Sequence, residues 1–255
     1  SGRFYDWQPT VLADIGTDGE MVLKVGDEMW GCATAAGPAF EGVGLTSGMA
    51  AARGAIDHVA SAAPGGVTCH VIGDVEPVGL CGSAYIDLLA VGRADGWLTA
   101  TGRLDDRALR AAGLTMTETD GRGRGVLLHD GASPIILHEQ DVARLMQAKA
   151  AIAAGVTTLL AGRGLTCGDV GRLYLAGGFG LHINVANAIA IGLFPGFRPE
   201  QIQPVGNSAL AGAYLLDCAL FEAVAAAGSD MRVIELNQDP TFENCYIDHL
   251  RLTAG

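Results

Sequence analysis

Residues 10–26, TVLADIGTDGEMVLKVG, constrain this chain more than any other stretch. An apolar run ends on Asp14-Ile15-Gly16, a Thr-Asp-Gly turn follows, and a second apolar run starts after Glu20. Two strands around so tight a glycine turn make a β-hairpin. A third strand is expected over 28–34. The same residues can also form a phosphate–metal device. Asp14, at a strand end, can hold Mg²⁺ directly or through water. Thr17 adds a hydroxyl, and Gly16 and Gly19 expose backbone N–H groups that can cradle phosphate oxygens. Alone, the motif is equally an ordinary Asp-Gly hairpin turn.

Beyond the hairpin, 35–44 is a Gly-rich loop holding Pro38 and Glu41. Ser47 is placed to cap a helix running to about 60, with Met49, Ala52, Ile56 and Val59 near helical spacing. A strand over 67–73, a helix over 84–91 and a short helix near 105–112 follow, within an otherwise polar, irregular 93–125. Strands are expected at 125–129 and 134–138. The clearest helix starts at Glu139 and runs to 155 or 160, with Val142, Leu145, Met146, Ile152 and Val156 on its apolar face. Then come a buried strand at 172–178, a helix at 184–191, a strand at 202–206, an Ala-rich helix at 207–227 and a strand at 232–236. The tail 238–251 fits no element. Strands and helices alternate from 139 onward after a hairpin-rich start, which is α/β organisation with a mixed sheet. No linker or repeat divides the 255 residues, so one domain is expected over 1–255.

Composition narrows the function classes. With 49% hydrophobic and 17% charged residues this is a folded chain. Its net charge of −12 and lack of a basic stripe argue against nucleic acid. Arg103, Arg107 and Arg110 are interrupted by Asp105 and Asp106 and read as a solvated helix face. The cysteines at 32, 69, 81, 167, 218 and 245 form no C-x-x-C pair, which suggests neither a zinc site nor an iron–sulfur cluster. No signal peptide or bilayer-length apolar run is visible, so a reducing cytoplasm is the expected setting and no membrane is expected. The chain opens on Ser-Gly and reaches its first motif by Asp14, as a domain excised from a longer protein would.

Two further glycine motifs matter. Ala176-Gly177-Gly178-Phe179-Gly180 follows the buried strand and lets a flat ligand or phosphate approach the backbone. It is neither a Walker loop nor a dinucleotide fingerprint, and it is also a common strand-to-helix turn. Gly79-Leu80-Cys81-Gly82-Ser83 opens a helix whose N-terminus attracts anions. Gly82 and Ser83 are candidates there, and Cys81 reads as a packed thiol.

The order of these loops resembles the second lobe of the acetate kinase–sugar kinase–Hsp70–actin (ASKHA) superfamily. A closer similarity runs through DIGTDGE, CATAAGPAFEG (32–42), GMAAARGAI (48–56), GLCGS, QAKAAIAAG (147–155), YLAGGFG (174–180), IGLFP (191–195) and GNSALAGA (206–213). These blocks resemble the C-terminal domain of the reductive activators of corrinoid proteins, from about residue 9 onward. The resemblance implies an actin-like lobe with an RNase H-like mixed sheet and flanking helices. It implies ATP and Mg²⁺ as ligands: Asp14 in the metal shell, Gly16, Thr17 and Gly19 on phosphate, and Gly177, Gly178 and Phe179 as the adenosine platform with Lys149 nearby. Glu41 is a further candidate, for positioning water or docking a partner. The implied activity is ATP-driven return of a corrinoid methyl carrier from Co(II) to Co(I), with a homodimer and a corrinoid protein as partners.

The chain departs from the full family pattern. It lacks a second D-I-G-T loop and cluster cysteines, so a [2Fe–2S] module and the other phosphate loop are expected in remaining domains of the parent chain. The isolated domain is then expected to be inactive. Two other readings stay open: a small-molecule kinase or dehydratase activator of the same superfamily, and a non-enzymatic dimerisation and docking module.

Overall fold

The computed structural model describes residues 8–63, 65–210, 226 and 228–253. The chain opens with Thr10–Ile15 (β1), Gly19–Val25 (β2) and Glu28–Thr34 (β3). Ala55–Ser61 (β4), Val67–Val71 (β5) and Gly79–Leu80 (β6) precede helix Gly82–Ala94 (α1). Asp106–Ala111 (α2) leads to Thr115–Thr119 (β7), Gly123–His129 (β8) and Ile135–His138 (β9). Then come the long helix Glu139–Ala161 (α3), Arg172–Ala176 (β10), Val185–Ala190 (α4) and Ile202–Gly206 (β11). Arg232–Val233 (β12) and Phe242–Asp248 (α5) complete the described elements.

The main sheet has the order β11-β10-β1-β2-β3-β12. β1, β2 and β3 are an antiparallel meander, and β10 and β11 extend it in parallel from β1. That is the RNase H-like mixed sheet implied by the loop order. Alternation sets its face: Val11, Ala13, Ile15, Met21 and Leu23 are buried while Glu20 points outward. Two smaller sheets, β5-β4-β6 and β7-β8-β9, occupy the stretch between β3 and α3.

The structure corrects the helix expected over 47–60. Ser47 does not cap. Its hydroxyl donates to the Ile136 carbonyl at 3.1 Å. Gly48 lies so tightly against the Gly42 carbonyl that no side chain fits, and Gly54 takes φ +89, which a helix cannot use. Residues 55–61 instead pair with β5 and β6, burying Ala55, Ile56 and Val59. The irregular 93–125 also holds β7, whose alternating TMTET pairs with β8 around Gly121. The last strand is shorter than 232–236, and part of the tail is helical, as α5. Residues 208–210 are helical, and the remainder of the helix expected over 207–227 lies largely outside the described residues.

α3 lies on the hairpin face of the sheet, and glycines set how closely. A Cβ on Gly155 would stand 2.8 Å from both Met21 Sδ and Thr34 Cγ2, and one on Gly19 would collide with Ile152 Cδ1. The C-terminal segment then binds α3 from its other side. Buried Lys149 donates through Nζ to the Arg251 carbonyl at 2.6 Å, Thr157 Oγ1 and His249 Nε2 lie 3.2 Å apart, and Leu252 N donates to the Ala100 carbonyl.

Gly155→Val should overpack this contact. We expect a loss of about 1–3 kcal/mol, read as a melting temperature lower by about 2–4 °C per kcal/mol, and an unchanged melt would contradict the close approach. Lys149 supplies a pH signature. Burial pulls its ammonium from 10.5 down to about 8. The unfolded chain therefore binds more protons between those values, and stability should rise with pH across that window. Lys149→Met should lack this rise. Unfolding free energies measured from pH 7.5 to 10.5 should move in the wild type's favour by about 3 kcal/mol, whereas a flat difference would show that Lys149 is not desolvated.

Candidate functional site

β1, β10 and β11 are adjacent and parallel, and their carboxyl ends open on one cleft of about 440 Å³. Parallel α/β sheets collect ligands at that end, where the connecting loops part. Register brings the pieces together. Asp14 is the Cα partner of Ala176, and the next residue, Gly177, donates its N–H to the Gly206 carbonyl at 3.0 Å. Gly177 has φ +93, and a Cβ there would stand 2.5 Å from the Ile15 carbonyl oxygen and 2.9 Å from Asp14 Oδ1. Only glycine therefore lets the β10 loop lie against the Asp14 carboxylate. Nothing lies within 4 Å of a Cβ built on exposed Gly178, so its backbone faces open space.

The other walls come from two segments. The 3-10 turn Pro38–Glu41 supplies Phe40 and Glu41. Thr17 donates through Oγ1 to Glu41 Oε2 at 2.9 Å, tying this turn to the hairpin loop. The N-terminus of α1 supplies Cys81, Gly82 and Ser83. α1 is buried nearly all round, and its buried Asp87 fixes its position, accepting from Val59 N at 3.1 Å and Asn187 Nδ2 at 2.7 Å. Ser83 Oγ donates to the Asp57 carbonyl at 2.7 Å, and Gly82 presses against the Phe40 carbonyl with no room for a side chain.

The cleft thus brings together Asp14, Gly16, Glu41, Gly82, Ser83, Gly177, Gly178 and Phe179, with Thr17 joined through Glu41. Two sequence candidates lie elsewhere. Gly19 faces α3 against Ile152, and Lys149 is committed to the Arg251 carbonyl. Lys149 lies on the helix face that packs inward, where the C-terminal segment covers it. Two cleft residues, Phe40 and Asn207, and Ser208 next to Asn207 carried no signal of their own in the sequence. Phe40 stacks on Phe179 with ring centroids 4.9 Å apart and planes 21° from parallel. Ser208 Oγ reaches Asp14 Oδ2 at 3.5 Å, and Asn207 caps the helical start behind it through Leu210 N. The glycine block at 206 was the only cue to the last two.

The carboxylates lining the cleft, Asp14 and Glu41, suit a hard cation such as Mg²⁺, which takes one or two carboxylates and completes its shell with water or phosphate. Among the described residues no Lys or Arg lines the cleft. Among the described residues Cys32, Cys69, Cys81, Cys167 and Cys245 are free thiols, and burial pushes Cys32 up to about 12. No helix among them is long and apolar enough to cross a membrane.

Comparison with known proteins agrees with this architecture. The chain is 33% identical over 253 residues to the corrinoid activation enzyme RamQ of Eubacterium limosum, covering 95% of this chain and 42% of that protein. It is 30% identical over 210 residues to the [Co(II) methylated amine-specific corrinoid protein] reductase of Methanosarcina barkeri, covering 80% and 38%. A solved structure of a reductive activator for corrinoid, iron-sulfur protein superposes with a TM-score of 0.89 at 37% identity, covering 97% of this chain and 40% of that one. The chain thus spans about two fifths of the length of the relatives it matches. The family described as the C-terminal domain of RACo, the ASKHA domain, matches residues 8–254, and the chain belongs to that family.

Proposed function

We infer that this chain is the ATP-binding C-terminal domain of an ATP-dependent reductive activator, one that returns Co(II) corrinoid proteins to Co(I). The observation that carries the reading is the Asp14 carboxylate, held at a parallel strand end beside the Gly177 backbone in an open cleft. Relatives whose names describe corrinoid activation supply the reaction class. Asp14 would hold Mg²⁺, and Gly16, Thr17, Gly82 and Ser83 would meet phosphate oxygens. Gly177, Gly178 and Phe179 would receive the nucleoside. Bound Mg²⁺ would offset phosphate charge in a cleft whose own carboxylates repel it.

In this reading Thr17 changes partners. Its hydroxyl donates to Glu41 in the present structure and would donate to phosphate with nucleotide bound, releasing Glu41 toward water or a partner protein. Nucleotide would act by favouring a closed arrangement of lobes, through its greater affinity for that state. The electron would come from a [2Fe–2S] module in other domains of the same protein. A homodimer, a corrinoid protein partner and a cytoplasmic setting belong to the same proposal, as does the assignment of the chain to one domain.

Asp14→Ala in the full-length protein tests it. Loss of a metal ligand should exceed the 10–100-fold cost of losing an outer partner, so ATP-dependent Co(I) formation should fall by about a hundredfold or more. The corrinoid's visible spectrum follows it, while the thermal melt should stay within a few degrees of wild type. Undiminished activation by this variant would sink the assignment.

A further inference from the structure

Phe40 touches the cleft from an unusual position. It is 2% exposed, yet it lines the cleft, and its ring is stacked on that of half-buried Phe179. One ring face of Phe179 is thereby covered, and Phe179 itself lines the cleft. The turn that carries Phe40 is held at three points: the Gly42 N–H returns to the Ala39 carbonyl, Glu41 accepts from Thr17, and Gly82 lies flush against the Phe40 carbonyl. A Cβ on Gly82 would also stand 3.1 Å from Phe179 Cδ2, so the same glycine makes room for the Phe40 backbone and the Phe179 ring. The Phe179 ring is thus fixed before any ligand arrives. The turn also joins the two ends of the cleft, since Phe40 reaches Phe179 while its neighbour Glu41 reaches the Thr17 loop.

We propose that Phe40 is a specificity-determining positioning residue: it presets the Phe179 ring as a flat platform that selects purine over pyrimidine nucleoside triphosphates by stacking area. The inference rests on the nucleotide reading above and adds to it the residue that sets the base-binding ring. A larger base covers more of a fixed ring, and offset stacking needs no hydrogen-bonding edge. A preset ring also loses no rotamer freedom on binding, which strengthens the contact.

The test is a set of titrations on the full-length protein with Mg²⁺ and ATP, UTP or inorganic triphosphate, read by calorimetry. Wild type should bind ATP about threefold more tightly than UTP, a part of one base–aromatic stack, since uracil stacks as well over a smaller area. Phe40→Leu and Phe179→Leu should each bring ATP close to UTP and leave inorganic triphosphate unchanged. Phe40→Tyr keeps the ring and should keep the wild-type ratio, which covers the case where Phe40→Leu does not fold. A wild-type ATP-to-UTP ratio in Phe40→Leu, or a ratio near one in the wild type or in a folded Phe40→Tyr, overturns the proposal while leaving nucleotide binding intact. Wild-type silence toward ATP and inorganic triphosphate alike overturns the nucleotide reading itself, and this inference with it.

Discussion

The contact between Gly177 and Asp14 is the constraint on which the site depends. β1 is the hinge of the sheet: antiparallel to β2 on one side and parallel to β10 on the other. Its last residues therefore meet both the hairpin turn and the loop after β10. That meeting is possible only because Gly177 lacks a side chain and adopts φ +93, so that the loop closes over the Ile15 carbonyl. Any other residue would push the loop off the carboxylate and separate the two halves of the cleft. Close packing transmits this requirement inward, since the hairpin's position is itself set by α3 at Gly19 and Gly155.

Much of this was legible because it is local. The hairpin, α3 and β10 each carry a periodicity and a turn residue within one short window. The segment 47–61 was not, because its structure is decided elsewhere. Ser47 is satisfied by Ile136, Met49 N by the Leu80 carbonyl, and β4 by β5. Helical spacing of Met49, Ala52, Ile56 and Val59 was a coincidence that tertiary pairing overrode. Lys149 shows the same limit at a single residue. Family order placed it near the nucleotide, but its Nζ lies under the C-terminal segment, whose path no window around 149 encodes.

The site was legible as loops and illegible as walls. Three glycine motifs marked where backbone approaches a ligand, and Gly16, Gly82 and Gly177 do line the cleft. The aromatic pair could not be read, because Phe40 and Phe179 belong to distant segments and neither is unusual where it stands. Their stack follows from Gly82, which lets the Pro38–Glu41 turn sit against the start of α1. The glycine most easily taken for a phosphate-loop residue therefore also builds the apolar wall.

Charge sets the final condition. Asp14 and Glu41 face a cleft that no Lys or Arg among the described residues lines, in a chain of net charge −12. A polyphosphate entering alone would meet two carboxylates, with backbone N–H groups, hydroxyls, the Asn207 amide and the His182 imidazole to offset them. In the proposed reading a divalent cation would enter with such a ligand, and it would gain most where Asp14 is already held by the sheet. Stiffness and charge thus act together: the register that places Gly177 against Asp14 also holds that carboxylate in place, as a metal ligand would need to be. In that reading the oxygen-rich end of the cleft would take the cation and phosphates and the Phe40–Phe179 end the apolar part of the ligand, and the Pro38–Glu41 turn is in contact with both ends.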